Sequence, residues 1–306
     1  MTSPRPLTLA LAVAATAAAL VLAGCGDDPS SEASDPGATG DASSPSSPAE
    51  SPSATSATSG TGTAVGTTVP VYFVGETPQG PRLYREFREV EADNPLEEAA
   101  ALLTAGDATD PDYRTLFPGG SFEAISYDEA ANRIEATLPD DGWTTRGPGM
   151  SAYDAKLAVQ SLVYTLQGVA QARAPIFVTL GGEATSLFGV DTSNGVEAAP
   201  PLDVLNLVSV TAPEEGTTVS GSFIATGVAS SFEATVPWQI RQGGQVMEEG
   251  FATAEGWMDK LYPWETEVDV SGLAPGEYVF AAMTDDPSGG AEGAGPSEDT
   301  KTIVIK

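Results

Sequence analysis

The sequence predicts two folded domains of different class, an α+β domain followed by an all-β sandwich, behind a disordered N-terminal linker. The chain has 306 residues, enough for about two domains of ordinary size. In residues 69–200, apolar segments with the lengths of strands and helices follow one another in the order ββαββαβ. Residues 203–306 contain only short strand-like segments. Residues 26–64 contain no Leu, Ile, Val, Met or aromatic residue, so they cannot bury enough apolar surface to fold.

The first 24 residues are typical of a signal peptide. Arg5 precedes an almost unbroken run of Leu, Ala and Val from Leu7 to Leu22, which suits a signal peptide and is short for a membrane-spanning helix. The run ends in Leu-Ala-Gly-Cys, and this Cys25 is the only cysteine. The motif resembles the bacterial lipobox, whose thiol receives a diacylglyceryl group, and the resemblance implies a lipid anchor on the extracytoplasmic face of the cell membrane. An ordinary signal peptide or a membrane span with an incidental cysteine is the alternative.

Charge and composition narrow the range of functions. The net charge of −30, from 13 basic and 43 acidic residues, disfavours nucleic acid and anionic lipid as partners. With one cysteine and no histidine, the chain has no internal disulfide, no multi-thiolate metal site and no Ser-His or Cys-His catalytic scheme. We therefore expect no cofactor and no metal, and a linker over residues 25–68 that joins the lipid to the folded domains.

The first domain is predicted over residues 69–200. An Asn-Pro pair followed by two glutamates begins one helix, and a longer helix lies on a later amphipathic segment. In chain order we expect strands at 69–74 and 82–90, a helix at 96–104, strands at 122–127 and 134–138, a helix at 151–172 and a strand at 176–180. This order predicts helices packed on one sheet.

Several motifs in this domain occur in a familiar order. They are V-Y-F at 71–73, R-x-x-R-x-V at 85–90, N-P-L-E-E-A-A-A-L-L-T-A-G at 94–106, L-F-P-G-G at 116–120 and Q-S-L-V-Y-T-L at 160–166. Together they resemble the GerMN domain of sporulation and germination proteins. The resemblance covers the whole segment and implies a role in a multi-protein envelope assembly or contact with peptidoglycan.

The second domain is predicted over residues 203–306. Seven strand-like segments occur at 207–210, 223–228, 236–241, 245–251, 265–270, 277–283 and 302–305, and Gly243-Gly244 forms a tight turn. Many short strands without a helix indicate an all-β sandwich, with Trp238 as a candidate core residue.

Five motifs of the second domain carry a further resemblance. They are A-P-E-E-G-T-T-V-S-G at 212–221, F-E-A-T-V at 232–236, G-F-A-T-A at 250–254, P-W-E-T-E-V at 263–268 and D-P-S-G-G at 286–290. This half resembles the Gmad2 domain, an immunoglobulin-like module that often accompanies GerMN. The resemblance implies an immunoglobulin-like fold but no particular activity.

One aromatic segment of the second domain is a candidate partner-binding surface. It contains Trp257, Met258, Lys260, Tyr262 and Trp264, and aromatic residues and Met are favoured in interface cores. The alternative is that these side chains fill the sandwich core. The domain junction at residues 198–205 is a second candidate surface.

The acidic residues do not form a recognisable catalytic or metal site. Adjacent acids such as Glu97 and Glu98 do not face one another on a helix or a strand, so none of these pairs makes a hydrolytic dyad by itself. Asp107, Asp110 and Asp112 are possible calcium ligands, but they lack the glycine and distal glutamate of an EF-hand.

We therefore predict a non-enzymatic cell-envelope lipoprotein that binds or scaffolds an envelope protein complex or contacts peptidoglycan. Two alternatives remain open, a modulator of a membrane sensor kinase and a carboxylate-based cell-wall hydrolase. The sequence leaves the oligomeric state and the identity of the partner undetermined.

The lipid anchor yields the first testable prediction. Metabolic labelling with a tagged fatty acid should mark the wild-type protein and miss a Cys25→Ser variant, because the variant lacks the thiol that accepts the lipid. The variant should also be lost from the membrane fraction, since a diacylglyceryl group is the anchor that holds an acidic chain there. Equal labelling of both proteins, or no labelling of either, would contradict the assignment of Cys25.

Overall fold

The computed structural model describes residues 66–288, 291 and 293–306. The predicted signal peptide, Cys25 and nearly all of the predicted linker lie outside these residues. The first domain contains β1 (Gly66–Thr77), β2 (Gly80–Glu91), α1 (Pro95–Ala105), β3 (Ala124–Asp128), β4 (Arg133–Thr137), α2 (Ala152–Ala170) and β5 (Ile176–Leu180). Three two-residue strands and a short helix follow, namely β6 (Glu183–Ala184), β7 (Ser186–Leu187), β8 (Val190–Asp191) and α3 (Pro201–Val204). The predicted ββαββαβ order and the α+β class are confirmed.

The helix ends of this domain follow from local side-chain chemistry. The Ser151 hydroxyl accepts a hydrogen bond from the Asp154 N–H (3.0 Å), and the Asp154 carboxylate accepts one from the Ser151 N–H (3.1 Å). This reciprocal capping box starts α2. Helix α1 starts at Pro95, whose missing N–H costs nothing in the first turn, and ends at Gly106 with a φ of 70°.

The strands of the first domain form three sheets instead of the single sheet that we expected, and the smallest consists of β7 and β8 alone. The hairpin of β1 and β2 stands apart from the sheet with the order β3-β4-β5-β6, in which β4 and β5 are parallel. Helix α2 covers part of the outer edge of β1, because the Tyr72 N–H donates to the Thr165 hydroxyl (3.0 Å). On the same side Pro70, which has no N–H, packs against Gly168. This stretch of β1 is therefore closed to a third strand.

The core of the first domain lies between the helices and the strands. Phe73 on β1, Leu103 on α1 and Leu162 on α2 are fully buried in it. The L-F-P-G-G segment contributes Phe117, whose ring packs edge-on against Phe188 at 5.2 Å. The end of the domain therefore returns to cover the turn that precedes β3.

Eight strands lie in the described residues of the second domain. They are β9 (Val208–Ala212), β10 (Thr217–Val219), β11 (Ser222–Ala229), β12 (Thr235–Gln242), β13 (Gln245–Ala254), β14 (Tyr262–Asp269), β15 (Gly276–Met283) and β16 (Glu298–Ile305). The strand that the sequence did not predict is β10, which pairs in parallel with β16 over three residues. The eight strands form one sheet in the order β10-β16-β15-β12-β13-β14-β11-β9.

This sheet curls into two layers, which gives the domain its immunoglobulin-like form. The pairing of β13 with β14 consists only of Thr253 opposite Glu265 and Ala254 opposite Trp264. Side chains from both sides of this short link, including Val268 on β14 and Phe280 on β15, meet in one buried core. The predicted all-β immunoglobulin-like class is confirmed.

Gly227 on β11 gives a stability prediction. A Cβ atom at this position would lie 2.0 Å from the carbonyl oxygen of Ser209 and 2.6 Å from the Trp264 ring, so β9 or β14 would have to move. We expect Gly227→Ala to lower the free energy of unfolding by about 3 kcal/mol, as overpacking a filled site does. The matched control is Gly272→Ala, which meets no atom within 4 Å. Denaturant unfolding measures both variants, and equal stability would contradict the close approach.

Candidate functional site

Two loops at one end of the second domain form an exposed aromatic surface. The loop between β11 and β12 supplies Phe232, and the loop between β13 and β14 supplies Trp257 and Met258. The rings of Phe232 and Trp257 pack edge-on, with centroids 5.2 Å apart. All three side chains are exposed, and that of Met258 is 67% exposed. We call these three residues the apolar tip.

The apolar tip has a defined backbone. The N–H of Met258 donates to the hydroxyl of Ser230 (3.1 Å), which joins the two loops. Met258 has a φ of 82°, and Glu233 and Ala234 in the other loop also have positive φ. Non-glycine residues rarely adopt this conformation, so the surrounding contacts hold it in place.

Polar and basic side chains border the apolar tip. The Lys260 ammonium lies 4.7 Å from the centre of the Tyr262 ring, and the Tyr262 hydroxyl donates to Asp259 (2.8 Å). This hydrogen bond to the neutral phenol raises the pKa of Tyr262. The residues that follow Met258 therefore supply a cation, a carboxylate and a phenol beside the apolar tip.

The structure divides the predicted partner surface. Trp257, Met258 and Lys260 are exposed and Tyr262 is half-buried, but Trp264 is only 3% exposed and lies in the core. The prediction that Trp264 contributes to the surface is wrong, because side chains on β14 alternate and Trp264 shares the inward face with Val268.

Phe232 is the member of the apolar tip that sequence reasoning missed. It lies 25 positions before Trp257, and nothing in the local pattern shows that the two loops meet.

Trp238, expected in the core, is partly buried and packs against the core from its margin. Its ring centre lies 6.4 Å from that of Phe280.

Residues 198–205, the second candidate surface, pack against the first domain. The carbonyl of Ala199 accepts from the Tyr164 hydroxyl (2.6 Å), and the Ala199 N–H donates to the Gln160 side chain (2.7 Å). The Arg82 guanidinium donates to the carbonyl of Leu202 (2.8 Å). These bonds attach residues 199–202 to helix α2 and strand β2 of the first domain.

A buried ionic cluster joins the two domains, which belong to one compact unit. The Lys301 ammonium on β16 donates to the Asp110 carboxylate of the first domain (2.5 Å) and to the Tyr113 hydroxyl (2.7 Å). The Tyr113 hydroxyl donates to Asp299 on β16 (2.6 Å), whose other oxygen accepts from the Val210 N–H (2.6 Å). Lys301 is 5% exposed and both carboxylates are buried. We call Asp110, Tyr113, Asp299 and Lys301 the Lys301 cluster.

Burial and mutual attraction set the protonation of the Lys301 cluster. Burial lowers the pKa of Lys301, but the attraction of Asp299 and Asp110 outweighs it and leaves that pKa above its ordinary value. Burial also raises the pKa of the Asp299 carboxyl and that of the Tyr113 hydroxyl. Lys301 is therefore charged at neutral pH, and Tyr113 stays protonated and can donate.

The acidic residues considered as calcium ligands are engaged elsewhere. Asp110 binds Lys301, Asp107 binds Arg88 (3.2 Å), and Asp112 accepts from Thr300 (2.8 Å). A different acidic group comes together at the start of α1, where oxygen atoms of Glu91, Asp93 and Glu98 lie within 4.8 Å of one another. The Glu98 carboxylate in this group accepts from the Glu91 N–H (2.7 Å).

Two protein-family models and one solved structure match parts of this chain. Residues 70–185 match the Germane family, described as sporulation and spore germination. Residues 207–291 match Gmad2, the immunoglobulin-like domain of bacterial spore germination. A solved structure of the tandem GerMN domains of the sporulation protein GerM from Bacillus subtilis matches with 13% identity and a TM-score of 0.36, covering 68% of this chain and 62% of that one. No curated protein matches.

Replacing Lys301 with Met should destabilise the protein strongly. The change leaves Asp110 and Asp299 buried together without their cation. Removing one partner of a buried ion pair costs about 3 to 5 kcal/mol, and we expect a loss of this size in the free energy of unfolding at pH 7. Lys306→Met, which removes an exposed charge near the same strand, should change it by less than about 0.5 kcal/mol.

On the alkaline side of neutral pH, the loss in the free energy of unfolding should shrink. Because the folded-state pKa of Lys301 is raised, its contribution is fully present below the pKa of an unfolded lysine, about 10.4, and disappears as the pH rises through the folded value. The difference between wild type and Lys301→Met should therefore stay constant around neutral pH and narrow under alkaline conditions. A difference that does not change with alkaline pH would show that the ammonium charge is not its source.

Proposed function

We propose, on the premise that the chain carries a Germane domain followed by an immunoglobulin-like Gmad2 domain, that it is a non-enzymatic binding and scaffolding module of the cell envelope. Both family descriptions refer to sporulation or spore germination, and neither names an enzymatic activity. In this proposal the second domain binds an envelope protein through the apolar tip.

The exposure of the apolar tip is the observation that carries the proposal. Of nine large apolar side chains that are exposed among the described residues, seven belong to the second domain. Single exposed apolar residues are ordinary, but Phe232, Trp257 and Met258 adjoin one another on two joined loops. Aromatic residues and Met surrounded by a polar rim are the composition of a protein interface.

The domain junction supports a scaffolding role. A scaffold must hold its docking surface in a defined relation to the rest of the chain. The Lys301 cluster joins the first domain to β16, and the Tyr84 hydroxyl adds a second contact by donating to the Glu298 carbonyl (3.0 Å). Buried polar contacts of this kind require one geometry, so they favour a fixed orientation of the apolar tip relative to the first domain.

The proposed location is the extracytoplasmic face of the cell membrane, with a lipid on Cys25 as the anchor. No helix among the described residues is long and apolar enough to cross a membrane. The strongly acidic body has little attraction for anionic lipid, so a diacylglyceryl group supplies the affinity.

Photocrosslinking in cells tests the docking role. A photoreactive residue at position 258 should form adducts with a protein partner, whereas one at Ile224, which is exposed on the same domain away from the two loops, should not. The double variant Phe232→Ser/Trp257→Ser should lower the adduct yield by more than about tenfold. This expectation follows because truncating interface hot spots costs about 2 kcal/mol or more.

An unfolding control and the comparison of crosslinking yields decide whether the apolar tip is a docking surface. Unfolding of the double variant must resemble that of wild type, since both side chains are exposed. Equal adduct yields from positions 258 and 224, or yields insensitive to the double variant, would contradict docking at the apolar tip. Retention of the protein on purified wall sacculi without any protein adduct would instead favour contact with peptidoglycan.

A further inference from the structure

The outer edge of β13 is open over most of its length. β13 pairs with β12 from Gln245, opposite Gln242, to Thr253, opposite Thr235. On its other side it pairs with β14 only at Thr253 and Ala254. Within the part of the chain that the structure describes, no strand pairs with the outer edge of residues 245–252.

The side chains along this edge resemble an interface more than a solvated strand. Val246, Met247 and Phe251 are exposed, and Phe251, at 68%, is the most exposed of the large apolar side chains described. Glu248 and Glu249 lie between them and are also exposed. An exposed strand edge with apolar side chains is a template for the addition of another strand.

The charge of the edge disfavours the two occupants that the chain itself offers. In an antiparallel pair of two copies centred on residues 245–252, Glu248 of one copy lies opposite Glu249 of the other, and like charges opposite each other are destabilising. The preceding segment, residues 26–65, carries acidic side chains and no basic one. A net charge of −30 opposes both arrangements.

We propose that the outer edge of β13 receives, as an added strand, an extended partner segment in which apolar residues flank two adjacent basic residues. The basic pair faces Glu248 and Glu249, and the apolar residues contact Val246 and Phe251. The register irregularity beside Met247 interrupts the regular pairing of an added strand between Val246 and Glu248, which favours a short segment. This inference rests on the proposed function, since it describes how a bound partner extends beyond the apolar tip.

A pair of synthetic peptides tests the inference on the full chain. The probe is acetyl-Thr-Val-Thr-Lys-Lys-Val-Thr-Val-amide, and the control peptide has two Glu in place of the two Lys. We expect the lysine peptide to bind at least about tenfold more tightly at low salt, with an advantage that shrinks as salt rises. Hydrogen exchange should slow at residues 245–252 when the lysine peptide is bound.

Charge-reversed variants identify the site. Glu248→Lys/Glu249→Lys should invert the preference toward the glutamate peptide. Glu123→Lys/Glu129→Lys changes the net charge by the same amount on exposed residues of the first domain and should leave the preference unchanged. Equal binding of both peptides, protection at a different strand, or a dimer of the unmodified protein that pairs through β13 would each overturn the inference.

The test separates this inference from the proposed function. If crosslinking at position 258 persists and depends on Phe232 and Trp257 while the peptides show no preference, then docking at the apolar tip stands and strand addition fails. If the peptides bind at β13 as expected but position 258 yields no protein adduct, the edge site stands and docking at the apolar tip fails.

Discussion

One ammonium group connects parts of the chain that lie far apart in sequence. Lys301 is on the last strand, and Asp110 follows the first helix, yet their charged atoms are 2.5 Å apart and buried. Lys301 can remain buried and charged only beside such carboxylates, since desolvation of an isolated ion costs several kcal/mol. A buried ion pair adds little net stability compared with an apolar contact, but it demands one geometry. We therefore interpret the Lys301 cluster as the element that sets the orientation of the domains.

The other features depend on that orientation. The first domain contacts β16 through the Tyr84 hydroxyl, which donates to the Glu298 carbonyl, and residues 197–199 are bound along Gln160 and Tyr164. The second domain then presents the apolar tip and the outer edge of β13 to solvent. Two neighbouring surfaces with different chemistry, one aromatic and one acidic with apolar flanks, suit a partner that is recognised by both side-chain burial and charge.

The candidate site was only partly predictable, and particular residues show why. Trp257 and Met258 stood out because aromatic residues and Met crowd one segment. Trp264 lay just before the strand predicted at 265–270, so the alternation that places it on the buried face of β14 was not applied to it. The Lys301 cluster was missed although a signal existed. Asp299 and Lys301 share one face of β16 with Ile303 and Ile305, and a charged pair on an otherwise apolar face indicates a buried partner. No local pattern identifies that partner as Asp110.

The sequence by itself determined the class of each domain and the order of most elements, because apolar periodicity, capping residues and turn glycines act over a few neighbouring positions. It also determined the net charge, whereas the lipid anchor on Cys25 stays a prediction. Only the tertiary structure decided that the β1–β2 hairpin stands apart, that Phe232 meets Trp257, that β13 keeps an open edge, and that Lys301 lies between carboxylates of both domains. These features depend on contacts between segments distant in the chain, which exist only when the whole core has packed.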